Sequence, residues 1–288
     1  MTSQSFTITP IKDTIGAIIS GVDLNHLDGA SIKGRVLAQI KEALLRHQVI
    51  FFRNQNLQTP AQVNLARSLG SLHIHPVFPT VPNFPEVIVL DSHETDLRDN
   101  ELWHTDVTFS KTPPLGCVLR AVKVPKSGGD TLWASGTAAF NALDIKIQDK
   151  IKGLTATHDI RLSFPKERFG GASKAEKARL EEIYRKNPPV SHPVVRTHPD
   201  TGKLALFVSE GFTTKINELP ESESRELLDF LTQHAVKEAF HLRWQWQEGD
   251  VAIWDNRVTQ HKALFDYGDA HRIMHRATIN GDVPYYVA

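Results

Sequence analysis

The segment LWHTDVTF sets His104 and Asp106 two positions apart. On an extended backbone side chains alternate between faces, so this spacing points both to one side of a sheet as a pair of metal ligands. A third ligand must come from elsewhere, and WDNRVTQH offers His261 far downstream. Two imidazoles and a carboxylate on one face of an octahedron form the facial triad of non-haem iron(II) oxygenases, with three positions left for small molecules. The same donors also suit zinc with a position open to water. With 14 His and 18 Asp in the chain, a His-x-Asp pair arises by chance, and His26-Leu27-Asp28 is a second copy. That copy lies in the polar stretch NHLDGAS ahead of a helical pattern, where Asp28 reads as turn or cap chemistry. The pair at 104 and 106 keeps different company, flanked by Trp103 and Phe109. Spacing alone leaves it open between a metal site and a hydrogen-bonded structural pair.

The run HRIMHRATI carries Arg272 and Arg276, which share a strand face with Met274. Two guanidinium groups in a partly buried place are costly unless each meets an anion, and the planar fork of arginine fits carboxylate and sulfonate oxygens. The alternative is an exposed face with surface ion pairs. Joined to three open metal positions, two anion anchors suit a chelating 2-oxo acid whose far carboxylate meets one arginine, and a second anionic substrate held by the other.

Such residues need strands to position them. β-rich runs recur as FTIT near residue 6, AIISGV from 16, VIFF from 49, VIVL from 87, CVLRAV from 117, VVRT from 194, LALFV from 204, VAIW from 251 and RIMHRATI from 272. Helical patterns interrupt them at about residues 32–46, 59–69, 135–152, 173–186 and 220–235. The second reads with Thr59 as N-cap, Pro60 as the first helical residue and Gly70 just past the end. Helices and strands do not alternate one for one, which argues against a doubly wound parallel sheet. The expected fold is mainly β with flanking helices, a double-sheet jelly roll. One catalytic domain over residues 1–288 is expected, because a single core can grow to that size. The charged, Gly/Pro-bounded stretch at about 165–187 reads equally as an insertion near the active site or as a solvated amphipathic helix.

Composition bounds the partners. Lys plus Arg equals Asp plus Glu at 33 each, so no excess positive charge exists to release counterions from nucleic acid or to dock on anionic lipid. No run approaches the roughly 20 apolar residues of a membrane span. The beginning, MTSQSFTITPIKDTIG, lacks the basic and apolar regions of a secretory signal, and the lone Cys117 forms no internal disulfide. These features lead to the expectation of a cytoplasmic protein with a small-molecule partner, no nucleic acid and no membrane, assembled as a homo-oligomer, dimer or tetramer.

Seven segments, LHIHPVFP, WHTDVTF, GGDTLW, NPPVSHPVVRTHP, LFVSEGFTT, AIWDNRVTQH and RIMHRATI, occur in that order. Together they resemble the taurine dioxygenase family of iron(II)- and 2-oxoglutarate-dependent oxygenases, from about residue 6 to the C-terminus. The resemblance implies a double-stranded β-helix, Fe(II) on His104, Asp106 and His261, and O2 and 2-oxoglutarate as co-substrates. It assigns Arg272 and the Thr131 hydroxyl to the distal carboxylate of 2-oxoglutarate. It assigns Arg276, His75 and the backbone N–H of Val107 to the substrate sulfonate, Asn100 to the neighbourhood of its amine, and Phe164 and Phe212 to the pocket wall. The implied reaction hydroxylates the carbon next to sulfur of taurine, releasing sulfite and aminoacetaldehyde with succinate and CO2. Phe78 departs from the pattern, since the family pattern has a tyrosine there whose hydroxyl lies near the amine. Loss of one hydrogen bond to a charged group is worth about 1.5 to 3 kcal/mol, which brings other alkylsulfonates and alkyl sulfate esters into range. A zinc hydrolase and a non-catalytic jelly-roll binding protein are the rival classes.

Overall fold

The run VIFF forms the strand Val49–Phe52, and all four of its side chains are buried. Alternate residues of a strand point to opposite faces, so burial of every residue means that both faces of this sheet are covered. Ile50 and Phe52 join a core shared with helices, whereas Val49 and Phe51 join a core shared with an opposing sheet. Val251–Asp255 divides the same way, Val251 and Ile253 outward and Ala252 and Trp254 inward, and Gly116–Lys123 sends Val118 outward and Cys117, Leu119 and Ala121 inward.

This computed structural model describes residues 6–27, 30–75, 78–95, 97–169 and 173–288; for 30–33, 98, 99, 168, 169 and 176 the backbone alone is described. The turn or cap expected at Asp28 lies outside the described residues. The large sheet has eight strands in the spatial order Thr7–Pro10, Ala17–Ser20, Val49–Phe52, Val251–Asp255, Gly116–Lys123, Ile273–Ile279, Phe84–Asp91 and Thr80–Val81. Its neighbours are antiparallel except Ala17–Ser20 with Val49–Phe52. Opposite its inner face Thr131–Ser135 runs between His241–Trp244 and Thr259–Ala263. Thr155–His158 lies between Thr213–Ile216 and Val190–Pro193, and Val195–Thr197 pairs with Leu204–Leu206. Helices Ala30–His47 and Thr59–Leu69 cover the outer face of the large sheet, and Gly136–Asn141, Ile145–Ile151 and Glu221–Ala235 pack on the smaller ones. This is the jelly roll expected.

Local differences have local causes. The helix at Thr59 is capped one residue earlier, by Gln58, whose side chain makes no capping bond, so Thr59 and Pro60 are its first two helical residues. The pattern over 135–152 breaks in two because Ser135 and Asp144 each cap a separate helix, through Ala138 N–H at 3.0 Å and Lys146 N–H at 2.9 Å. In the 165–187 segment the helix Lys174–Lys186 presents Leu180 and Tyr184 to Ile160, Phe164 and Phe109. Residues 170–172 of that segment lie outside the described residues. Among the described residues no helix is long and apolar enough to cross a membrane.

The inner strands meet a turn held by buried charge. Fully buried Asp255 accepts hydrogen bonds from Arg257 Nε at 2.8 Å and Nη2 at 2.6 Å, and from His198 Nε2 at 2.9 Å. The Nδ1 of His198 accepts from the Asp200 and Thr201 amides, which leaves the hydrogen on Nε2. Burial alone would raise the Asp255 carboxyl, but the Arg257 and His198 hydrogen bonds and charges outweigh it and hold it well below the usual range. A depressed carboxyl stabilises the fold above the unfolded-state value and loses that contribution as pH falls toward the folded-state value. Asp255→Asn is expected to cost about 3 kcal/mol in denaturant unfolding at neutral pH, and its deficit relative to wild type to shrink below about pH 4.

Candidate metal centre and active site

His104 and His261 form a hydrogen-bonded antiparallel pair. The His104 N–H donates to His261 O at 3.0 Å and the His261 N–H donates to His104 O at 2.8 Å, which sets the two rings 4.2 Å apart between centroids. Asp106 then brings Oδ1 to 3.7 Å from each Nε2. All three residues are buried, and their ligand atoms lie within 4.8 Å of one another. The regular strand expected over His104 and Asp106 is not what holds them. Only His104 bridges to a strand, and the chain turns at Asp106, with Val107 in the left-handed region at φ 54°.

The protonation states suit a cation. His104 Nδ1 donates to Leu102 O at 2.8 Å, so its Nε2 lone pair faces the centre. Burial pushes His261 down to about 3, leaving it neutral near pH 7. Burial would raise Asp106, but the positive charge of Arg276, with His261 and His104, outweighs it and keeps the carboxylate ionised. A neutral His261, a His104 turned so that Nε2 faces the centre and an ionised Asp106 are donors of the kind a divalent ion takes.

The two arginines have separate surroundings. Arg276 Nη2 donates to Asp106 Oδ2 at 2.7 Å, and its Nε faces Cys117 Sγ at 3.2 Å and Thr278 Oγ1 at 3.3 Å. Burial raises the Cys117 thiol to about 12, so the sulfur is a neutral acceptor. His75 is lowered to about 4 by burial and by the charges of His73 and Arg276; its Nδ1 accepts the Phe78 N–H at 3.1 Å, and the Phe78 ring lies 4.7 Å from it. Arg272 is buried at the other end, its Nε without a hydrogen-bond partner among the described residues. A Cβ on Gly129 would lie 3.4 Å from Arg272 Cδ, so the GGDT loop passes directly over this side chain. Two residues on, Thr131 Oγ1 accepts the Trp246 Nε1–H at 2.9 Å, which leaves the hydroxyl hydrogen to point elsewhere. A buried orphan guanidinium N–H and a free hydroxyl hydrogen fit a carboxylate.

A model of the taurine catabolism dioxygenase TauD, TfdA family matches residues 7–278. The chain belongs to that family. It is 36% identical over 283 residues to the alpha-ketoglutarate-dependent sulfate ester dioxygenase of Pseudomonas putida, an alignment that covers 96% of this chain and 90% of that protein. An alkylsulfatase of Acinetobacter baylyi is 36% identical over 98% of this chain and 87% of its own length. The crystal structure of a taurine dioxygenase from Burkholderia xenovorans superimposes with a TM-score of 0.82 at 35% identity, covering 98% of this chain and 91% of that one. The chain is therefore an alpha-ketoglutarate-dependent dioxygenase, alpha-ketoglutarate being 2-oxoglutarate. Membership favours oxygenase chemistry over the zinc-hydrolase and binding-protein alternatives.

Within this dioxygenase the remaining expected residues divide. Phe212 stands edge-on to the His104 ring at 6.3 Å and 5.2 Å from Phe109, and Phe109 and Phe164 both pack on the Ile160, Leu180 and Tyr184 cluster. The Asn100 side-chain amide donates to Leu97 O at 3.1 Å. Asn256 went unread in the sequence, since its partners are distant in the chain and no spacing links them. Its Oδ1 accepts the Asp106 N–H at 2.8 Å, and its Nδ2 donates to Asp106 O and Pro114 O, each at 3.1 Å. Gly211 was unread as well; a Cβ there would come within 3.1 Å of His104 Cβ. Asn256→Ala is expected to weaken Mn(II) binding about 10- to 100-fold in calorimetric titration, with the far-ultraviolet circular dichroism unchanged.

Proposed function

We propose that this dioxygenase uses Fe(II) on His104, Asp106 and His261 to oxidise a small alkylsulfonate, taurine first among them, within one catalytic domain spanning residues 1–288. The observation that carries the reading is the place of Arg276: a guanidinium beside the triad, 2.7 Å from Asp106 Oδ2, with His75 under its charge. A fixed cation at that distance suits a tetrahedral anion whose neighbouring carbon must lie next to the metal.

When bound, the iron would activate O2 with 2-oxoglutarate as co-substrate, one oxygen atom going to the succinate formed as CO2 leaves and the other to the substrate carbon as a hydroxyl group. The protein residues position and exclude. Arg272 and the Thr131 hydroxyl hold the far carboxylate of 2-oxoglutarate. Arg276, His75 and the Val107 N–H hold the sulfonate, and Asn100 lies toward the amine end. Phe164, Phe212 and Phe109, with the helix Lys174–Lys186 behind Phe164, keep water from the carbon being oxidised. In the hydroxylated product the C–S bond breaks with its electron pair passing to sulfur, the hydroxyl loses its proton, and sulfite and aminoacetaldehyde leave.

A second reading, an alkyl sulfate ester as substrate, is favoured by Phe78. Its ring against His75 makes the anion pocket apolar where a hydroxyl would serve an amine. The two readings differ in product, because oxidation beside a sulfate ester oxygen releases sulfate and oxidation beside a sulfonate releases sulfite. With Fe(II), 2-oxoglutarate and O2, taurine is expected to yield sulfite and succinate in equal amounts, and to yield none without 2-oxoglutarate. Sulfate from an alkyl sulfate, with taurine inert, would establish the second reading. Turnover is expected to vanish in His104→Ala and in Asp106→Ala. Arg276→Met is expected to raise the sulfonate KM at least tenfold with little change for 2-oxoglutarate, and Arg272→Met to do the reverse.

A further inference from the structure

The guanidinium of Arg276 is held along one edge. Arg276 and Thr278 are two apart on the strand Ile273–Ile279, so both side chains leave the same face of the sheet. Thr278 pairs in register with Cys117 of the neighbouring strand Gly116–Lys123, and Cys117 Sγ stands 3.6 Å from Thr278 Oγ1. The Arg276 Nε–H points between them, with Nε 3.2 Å from the sulfur and 3.3 Å from the hydroxyl oxygen. Nε carries one hydrogen, so the two acceptors share it. Nη2, the other nitrogen of that edge, lies 2.7 Å from Asp106 Oδ2, and this oxygen is 3.7 Å from Cys117 Sγ. The three acceptors thus stand side by side along the Nε–Nη2 edge. A flat face of the group is turned to Trp254, with Cζ 5.4 Å from the ring centroid. Nη1 makes no hydrogen bond among the described residues and is not sealed from solvent.

Attraction to Asp106 does not by itself choose this orientation, because the charge of a guanidinium is delocalised and either edge of the fork can meet a carboxylate. The Nε acceptors make the choice. Cys117 and Thr278 are 0% and 8% exposed, so a turn of the group that took Nε away from them would leave a buried N–H unmet. Both acceptors stand on adjacent strands of the large sheet, whose register fixes where they lie.

We infer that Thr278 and Cys117 are positioning residues for the substrate anion: by taking the single Nε hydrogen of Arg276 they commit its Nε–Nη2 edge to the protein and leave Nη1 to meet the anion. The inference rests on the proposed reading of that anion site and adds which end of the cation the substrate meets. Without both acceptors the guanidinium turns its Nε edge toward the anion, and the carbon beside the sulfur group moves with it.

The test compares Thr278→Val and Cys117→Ala, each removing one acceptor, with the double variant and with Thr278→Ser, which keeps the hydroxyl. The KM for taurine or for an alkyl sulfate, whichever wild type oxidises, is expected to rise about threefold in each single variant. In the double variant it is expected to rise about thirtyfold, more than the product of the two, because each acceptor partly replaces the other. Thr278→Ser is expected to stay within about twofold of wild type, as is the 2-oxoglutarate KM in every variant. A second readout needs no turnover. In 15N-labelled protein loaded with Zn(II) and 2-oxoglutarate, the Arg276 Nε–H resonance, assigned by its loss in Arg276→Lys, is expected to persist in wild type and Thr278→Ser and to vanish through solvent exchange in the double variant. An unchanged anion KM in the double variant would overturn the inference, as would equal losses for anion and 2-oxoglutarate or a resonance that survives there. Should the double variant not fold, Thr278→Val against Thr278→Ser carries the test, and equal anion KM values in the two overturn it. If wild type oxidises neither sulfur compound, the substrate reading fails, and the resonance alone decides the placing of Arg276: loss confined to the variants lacking an acceptor upholds it, and persistence in all overturns it.

Discussion

The two oxygens of Asp106 face different partners, and the rest of the site is arranged around that carboxylate. Oδ1 sits between the two imidazoles and Oδ2 accepts Arg276. A buried carboxylate without a partner is expensive enough to take up a proton, and a protonated Asp106 could not serve as a ligand. Arg276 prevents this, and Asn256 fixes the backbone from which the carboxylate projects. The two partners arrive on different strands of the large sheet or its connections, Arg276 on Ile273–Ile279 and Asn256 just past Val251–Asp255. The position of one carboxylate thus depends on the packing of the inner core, where Cys117, Trp254 and Met274 lie against Trp133 of the opposing sheet.

Charge balance ties this constraint to the proposed substrates. Leaving the imidazoles aside, the protein contributes one carboxylate against two guanidinium groups. A divalent ion makes the assembled site triply positive. Under the proposed reading, a doubly charged oxo acid and a singly charged alkyl sulfate would together cancel that charge, whereas taurine, whose sulfonate is balanced by its own ammonium, would leave one positive charge at the site. Once Arg276 is needed to keep Asp106 ionised, a site with a chelating dianion still carries one uncompensated positive charge, which suits an anionic group placed beside Arg276.

The sequence made the chemistry more legible than the scaffold. Spacing alone left His104 and Asp106 open, since His26 and Asp28 repeat it, and His261, Arg272 and Arg276 became legible through the resemblance of their segments to the family. The two-sided burial of VIFF and VAIW was legible as continuous apolar runs. The strands Thr131–Ser135 and Thr259–Ala263, which carry Thr131 and His261, went unread because TLWAS and TQHKA lack clean alternation; their conformation is imposed by pairing with each other. An extended backbone over His104 and Asp106 was the condition of the spacing argument, and the chain instead turns at Asp106 and Val107, where its partners Asn256 and His192 lie far along the chain.

Rigidity is unevenly distributed around the carbon to be oxidised. The triad, Arg272 and Arg276 stand on or beside strands whose side chains belong to the large inner core. The wall of Phe164 and Phe109 belongs to a separate small cluster with Ile160, Leu180 and Tyr184, and the Tyr184 hydroxyl donates to the Phe164 carbonyl. A small cluster buries less apolar area, so it opens at lower cost than the sandwich and tolerates substitution with less effect on the fold. Under the proposed reading, metal, oxo acid and sulfur anion would be held by residues on the larger inner core, while the organic tail of the substrate would meet the smaller cluster. Such a division allows one metal centre to serve substrates that share an anionic head and differ in the carbon chain attached to it.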